Sequence, residues 1–152
     1  MKQQQGFTYL AVLMAITLLG LGLAAAGTTW KLQSQRDREQ DLLDAGRTLR
    51  TAITRYYKAS PTPPYQYPKK LEDLLLDERY PFTRRHLRRI PLDPFTREPR
   101  WGLITLPDGQ IIGVHSLADG APIKRAGFAK GEEDFAKAAS YRDWKFVRPL
   151  NP

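Results

Sequence analysis

The side chains that could do chemistry are few and scattered. His86 sits among arginines, and His115 precedes Ser116. Neither has a sequence neighbour that completes a nucleophile–base pair or a metal-ligand spacing, although such groupings are spatial and form from distant residues. The chain has no Gly-rich phosphate loop and no G-x-S-x-G elbow. Calcium takes six to eight oxygens, several of them anionic. Asp119 is one candidate, with Glu132, Glu133 and Asp134 able to add more, but Lys124, Arg125 and Lys130 intervene and an Asp119-Gly120 turn is the plainer reading. Arg84, Arg85, Arg88 and Arg89 form a cluster of like charge, either a solvated face or a docking patch for an acidic partner subunit. No recognition motif for nucleic acid accompanies it. Trp101, Trp144, Tyr56 and Phe146 read as core rather than as a ligand cage. The expectation is a chain that is not an enzyme and carries no cofactor.

Composition bounds what can position these groups. The chain has 152 residues, no Cys and a formal net charge of +8. Disulfides and Cys-ligated metals are excluded, and the basic balance suits nucleic acid, anionic lipid or acidic protein partners. All 12 Pro fall after residue 59, marking a loop-rich C-terminal half. No internal repeat is visible.

The longest feature is the run 7–30, which contains no Asp, Glu, Lys, Arg or His. As a helix it would rise roughly 36 Å at about 1.5 Å per residue, enough to cross a hydrocarbon core of about 30 Å. Three readings fit the run. Ala24-Ala25-Ala26-Gly27 could end a cleaved secretory signal, the whole run could be a plain membrane anchor, or processing could precede it at Gly6-Phe7. Beyond it, Leu42, Leu49 and Tyr56, with Ala45, Ala52 and Ile53 between them, make an apolar stripe on a helix. Arg36, Asp37, Arg38, Glu39, Asp41 and Asp44 make its wet face. No Pro occurs between Phe7 and Ser60, so the two segments can form one helix, roughly 78 Å long. Ser60-Pro61-Thr62-Pro63-Pro64 ends it.

The remainder reads as a small α+β head. Residues 69–76 suggest a short helix with Leu71, Leu74 and Leu75 on one side, and residues 84–90 another helical turn or two. Residues 101–106 and 110–116 flank Pro107-Asp108-Gly109, a hairpin signal because Pro presets the first turn dihedral and Gly accepts positive φ. Residues 141–147 alternate with period two and predict a third strand, Tyr141, Asp143, Lys145 and Val147 lying opposite Arg142, Trp144 and Phe146. Three antiparallel strands would then pack on the upper half of the long helix. Residues 117–140 read as irregular, with 132–138 a short helix or a loop.

Lys2, then Gly6-Phe7-Thr8, then an apolar helix resembles the start of type IV pilin-like proteins, and of type II secretion pseudopilins in particular. The order Tyr67-Pro68, Leu71, Leu74, Leu75, Leu87, Ile90-Pro91 and Asp93-Pro94 is similar to the connecting segment of the major pseudopilin subfamily. The resemblance implies a leader at 1–6, cut between Gly6 and Phe7 by a prepilin peptidase that N-methylates Phe7. It implies a transmembrane or fibre-core helix at 7–30, with Phe7, Leu10, Ala11, Leu13 and Met14 in the packing. The amphipathic upper half would span 31–58 and a periplasmic head 59–152. Other pseudopilins, an inner-membrane secretion platform and the lipid bilayer would be the partners. The location would be the bacterial inner membrane, single-pass, with the C-terminal domain in the periplasm. The positive-inside rule gives the opposite orientation, because Lys31, Arg36, Arg38, Arg47 and Arg50 follow the run.

Most family members carry Glu at the fifth residue after the cut, where this chain has Ala11. A buried carboxylate is kept only where it meets a partner, and Ala11 cannot supply that pair. A fibre-tip subunit, or one that assembles by packing alone, suits it better than an ordinary repeating subunit. Gly20 and Gly22 match places where pilin helices loosen. Residues 116–120 resemble the calcium-binding loop of major pseudopilins. The alternative function is a stand-alone membrane-anchored periplasmic module whose basic head binds an acidic ligand.

Overall fold

The computed structural model describes the backbone of residues 5–148 and, within these, the side chains of residues 8–20 and 30–148. One helix, α1, runs Gln5–Lys58. Its continuity follows from the absence of Pro, and it stops just before Pro61, which lacks a backbone donor and disfavours helical geometry at Ser60. Two compact units divide the chain, one ending at Asp37 and the other beginning at Arg38.

In the first unit every described side chain from Thr8 to Gly20 is exposed, including Tyr9, Leu10, Leu13, Met14, Leu18 and Leu19. No helix among the described residues is long and apolar enough to cross a membrane. The expected transmembrane lower half of the helix at 7–30 is therefore corrected. So is the single-pass inner-membrane location with a periplasmic C-terminal domain that rested on it. What stands is an α+β chain with a long helix and a small antiparallel sheet. Residues 1–4 of the expected leader and the side chains of Gly22 and of the Ala24–Gly27 segment lie outside the described residues.

The second unit has its own core. From α1 it takes Leu42, Leu49, Ala52, Ile53 and Tyr56 of the expected stripe and adds Leu43, which was not in it, while Ala45 is only partly buried against the core. The strands β1 (Gly102–Thr105), β2 (Ile111–His115) and β3 (Phe146–Val147) form one antiparallel sheet in the order β1-β2-β3. Leu103 faces Val114 across the first pair, and Val114 faces Phe146 across the second. The hairpin closes as its turn chemistry demands: the Gly109 amide donates to the Leu106 carbonyl at 3.0 Å, with Gly109 at φ +82°. Trp101, Ile111, Val114, Trp144 and Phe146 complete the core, with Phe135 stacked on Trp144 at 5.7 Å between ring centroids. α1 comes close to β3 at Gly46, where an added Cβ would lie 2.3 Å from the Phe146 ring.

Three local expectations change. Tyr141–Asp143 is a 3-10 turn, not strand, because Ser140 and Asp143 cap it reciprocally. Tyr141, Trp144 and Phe146 all point inward, a spacing of three and then two that a period-two strand cannot produce. The segment 84–90 is irregular. Its amides at His86 and Leu87 both donate to the Leu74 carbonyl at 2.9 Å instead of closing helical turns. Glu39 is not on the wet face: it is 1% exposed, because it continues the stripe three residues before Leu42.

Candidate functional site

The richest concentration of charge lies in the second unit, beside α1. A groove of about 660 Å³ is lined by Asp44, Arg47, Thr48, Thr51, Ala52 and Arg55 of the helix and by the segment His86–Arg89 with Pro91. A smaller hollow of about 340 Å³ is lined by Arg55, Lys58, Ala59, Arg84, Arg85 and His86. Helical spacing aligns the first wall: residues 47, 51, 55 and 58 are three or four apart and share a face.

The second wall is held from beneath by a buried ionic network. The Asp77 carboxylate is fully buried and accepts from Arg79 Nε at 2.8 Å and Nη2 at 2.7 Å. It also meets His86 Nε2 at 2.9 Å. Burial alone would raise the Asp77 pKa; the hydrogen bonds from Arg79 and His86 outweigh it and hold the carboxyl at about 2. Arg79 in turn ties the network to the end of α1. It donates to the Tyr56 carbonyl at 2.8 Å and the Ser60 hydroxyl at 2.9 Å, with its guanidinium 3.6 Å from the Tyr56 ring centroid. The bond to Asp77 raises its pKa further. Tyr80 adds a hydrogen bond from its hydroxyl to the Ala59 carbonyl. The expected arginine cluster is therefore presented by a segment anchored to the helix end.

The cluster divides on inspection. Arg85, Arg88 and Arg89 are exposed, while Arg84 is half-buried with its guanidinium 4.5 Å from the Tyr80 ring centroid. Among the described residues none of these four, nor Arg55 or Lys58, is paired with a carboxylate. Arg47 is different: Glu132 Oε2 lies 2.6 Å from its Nη2, and Asp44 Oδ1 lies 3.4 Å from its Nη1. Sequence reasoning missed Arg55 and Lys58 as parts of the patch. Their three-to-four spacing from Thr51 was the available signal.

The calcium candidate is dispersed. Asp119 is exposed and pairs with Arg142 at 3.0 Å. Glu132 is buried under Arg47 and Arg50, 2.6 and 3.0 Å away. Burial would raise its pKa, and the two guanidiniums overcome this and lower it. Glu133 is exposed and accepts from the Gly131 amide at 2.8 Å. No group of three or more potential metal ligands forms among the described residues. The His115–Ser116 pair is structural as well. Ser116 Oγ is buried and donates to Asp93 at 2.5 Å, while His115 Nδ1 faces the Ser116 carbonyl at 2.8 Å.

At the other end of the chain, Gly6 and Phe7 fall within α1, with the Phe7 side chain outside the described residues. Leu10, Ala11, Leu13 and Met14 are all exposed in the first unit. The described side chains there are mostly apolar and all exposed. No family model, curated protein or solved structure matches the chain.

Proposed function

We propose that this chain is a pseudopilin subunit of a type II secretion system, joining or capping a short fibre that drives protein export. The observation that carries the reading is the segment Thr8–Gly20, helical, apolar and exposed throughout. A helix that is apolar all round does not stay in water; it is covered by other apolar surfaces. Equivalent helices of other subunits supply such a cover. The Gly6-Phe7 junction immediately before the run supports prepilin-type processing there, by a prepilin peptidase, with N-methylation of Phe7. Ala11 leaves no carboxylate for an ionic pair with a neighbouring terminus, so packing holds this subunit, as suits a tip position.

Side-chain crosslinking tests the packing. A photoreactive phenylalanine derivative at Leu13 or Met14 is expected to give protein adducts in cells, whereas the same group at exposed Arg97 on the head gives few. Adducts from Arg97 only, or monomer throughout, would overturn the assembly reading.

A further inference from the structure

The groove beside α1 has a cationic rim, an apolar floor and an unpaired stretch of backbone. Arg55, Arg88 and Arg89 line it and lack carboxylate partners among the described residues. Ala52, Leu87 and Pro91 supply the apolar surface between them. The main chain of Arg88, Arg89 and Ile90 makes no hydrogen bond among the described residues, although both neighbouring stretches do. Leu87 donates to Leu74 on one side, and the Pro91 carbonyl accepts from Trp101 Nε1 at 2.9 Å on the other. The chain bends at Arg88 and Arg89, and free backbone donors and acceptors at the rim of a groove can hydrogen-bond the main chain of a bound peptide.

We infer that the groove binds an extended acidic segment of a partner protein. Its carboxylates meet Arg55, Arg88 and Arg89, its main chain takes hydrogen bonds from the free backbone groups of 88–90, and its aliphatic side chains lie on Leu87 and Pro91. A guanidinium recognises a carboxylate through two parallel N–H donors, which favours Arg over Lys in such a rim. The geometry argues for peptide over nucleic acid. Single strands are held by aromatic stacking platforms, and no Phe, Tyr or Trp lines this groove. The chain's net charge of +8 argues for a foreign partner over a second copy. Asp44 is the one carboxylate in the lining, and Arg47 pairs with it. The docking surface involves only residues 44–91 and does not depend on how residues 7–30 assemble.

The test is fluorescence anisotropy with the full chain and a labelled short peptide alternating Glu and Val. Controls are the Gln–Val counterpart and a single-stranded oligothymidylate. The Glu peptide should bind about tenfold tighter than the Gln peptide, and its affinity should fall severalfold as salt rises from about 50 to about 300 mM. Arg88→Glu with Arg89→Glu should weaken it by about tenfold or more, and Arg55→Gln by about threefold, while Arg97→Gln leaves it unchanged. If the double charge reversal lowers the melting temperature, Arg88→Gln with Arg89→Gln carries the test, with a loss of about threefold expected. Equal binding of the two peptides, or unchanged binding by well-folded groove variants, would overturn the proposal. Stronger binding of the oligothymidylate than of the Glu peptide would overturn it too, in favour of a nucleic-acid surface.

Discussion

Inside the second unit the Glu39 carboxylate receives the amides of Ile123 and Lys124 at 2.6 and 2.9 Å and the Tyr141 hydroxyl at 2.8 Å. One side chain of α1 thereby fixes a long irregular loop and one end of the 3-10 turn before β3. Glu39→Ala would strand these donors in the interior at a cost of about 3 kcal/mol. A urea midpoint lowered with unchanged m-value is the expected readout, with faster exchange of the Ile123 and Lys124 amides. Glu39→Gln keeps an acceptor oxygen and should cost less. Asp77 gives the pH dependence. Its folded pKa of about 2 lies below the ordinary carboxyl value near 3.9. Its contribution is therefore present above about pH 4 and lost as pH falls through about 2, amounting to about 2 kcal/mol. Glu132 is shifted in the same direction. The stability gap between the parent chain and Asp77→Asn should narrow as pH falls across that window. A gap that stays constant would show that the Arg79 and His86 bonds do not hold the ionised form. These carboxylates were poorly legible from sequence. Glu39 sits in the 39, 42, 46, 49, 53, 56 series of α1, but a charged residue in an apolar series reads as its edge until its donors, distant along the chain, are known.

At the scale of elements, the contact of α1 with β3 rests on Gly46. Alanine there would gain roughly 1 kcal/mol of helix propensity. Its Cβ would also meet the Phe146 ring at 2.3 Å, which forces helix and sheet apart. Gly46→Ala should therefore destabilise the head by about 1–3 kcal/mol despite the better helix former. Combining it with Phe146→Leu should cost less than the sum of the two changes, by at least about 0.5 kcal/mol in a double-mutant cycle. Strict additivity would contradict the close approach. The helix and the hairpin were legible because their signals are local: a Pro-free periodic stripe and a Pro-Asp-Gly turn. The third strand was legible only at Phe146–Val147, since reciprocal capping by Ser140 and Asp143 coils the residues before it. The arginine segment 84–90 was misread as helical because its amides bond to Leu74, a tertiary contact that no local pattern announces.

For the whole molecule, two surfaces carry the proposals: the exposed apolar helix of the first unit and the basic groove of the second. Both were visible in outline in the sequence, as a charge-free run and an arginine cluster. The groove's other wall came from Arg55 and from the fold of 86–91 against α1. The apolar run carries the functional reading, and its start at Phe7 is where that reading is most exposed to test. The intact mass of the mature protein from producing cells, together with its N-terminal peptide, decides the matter. The account predicts a chain lacking residues 1–6 and beginning at Phe7 with one added methyl group. A chain that retains Met1, or one cut near Ala26, would contradict it.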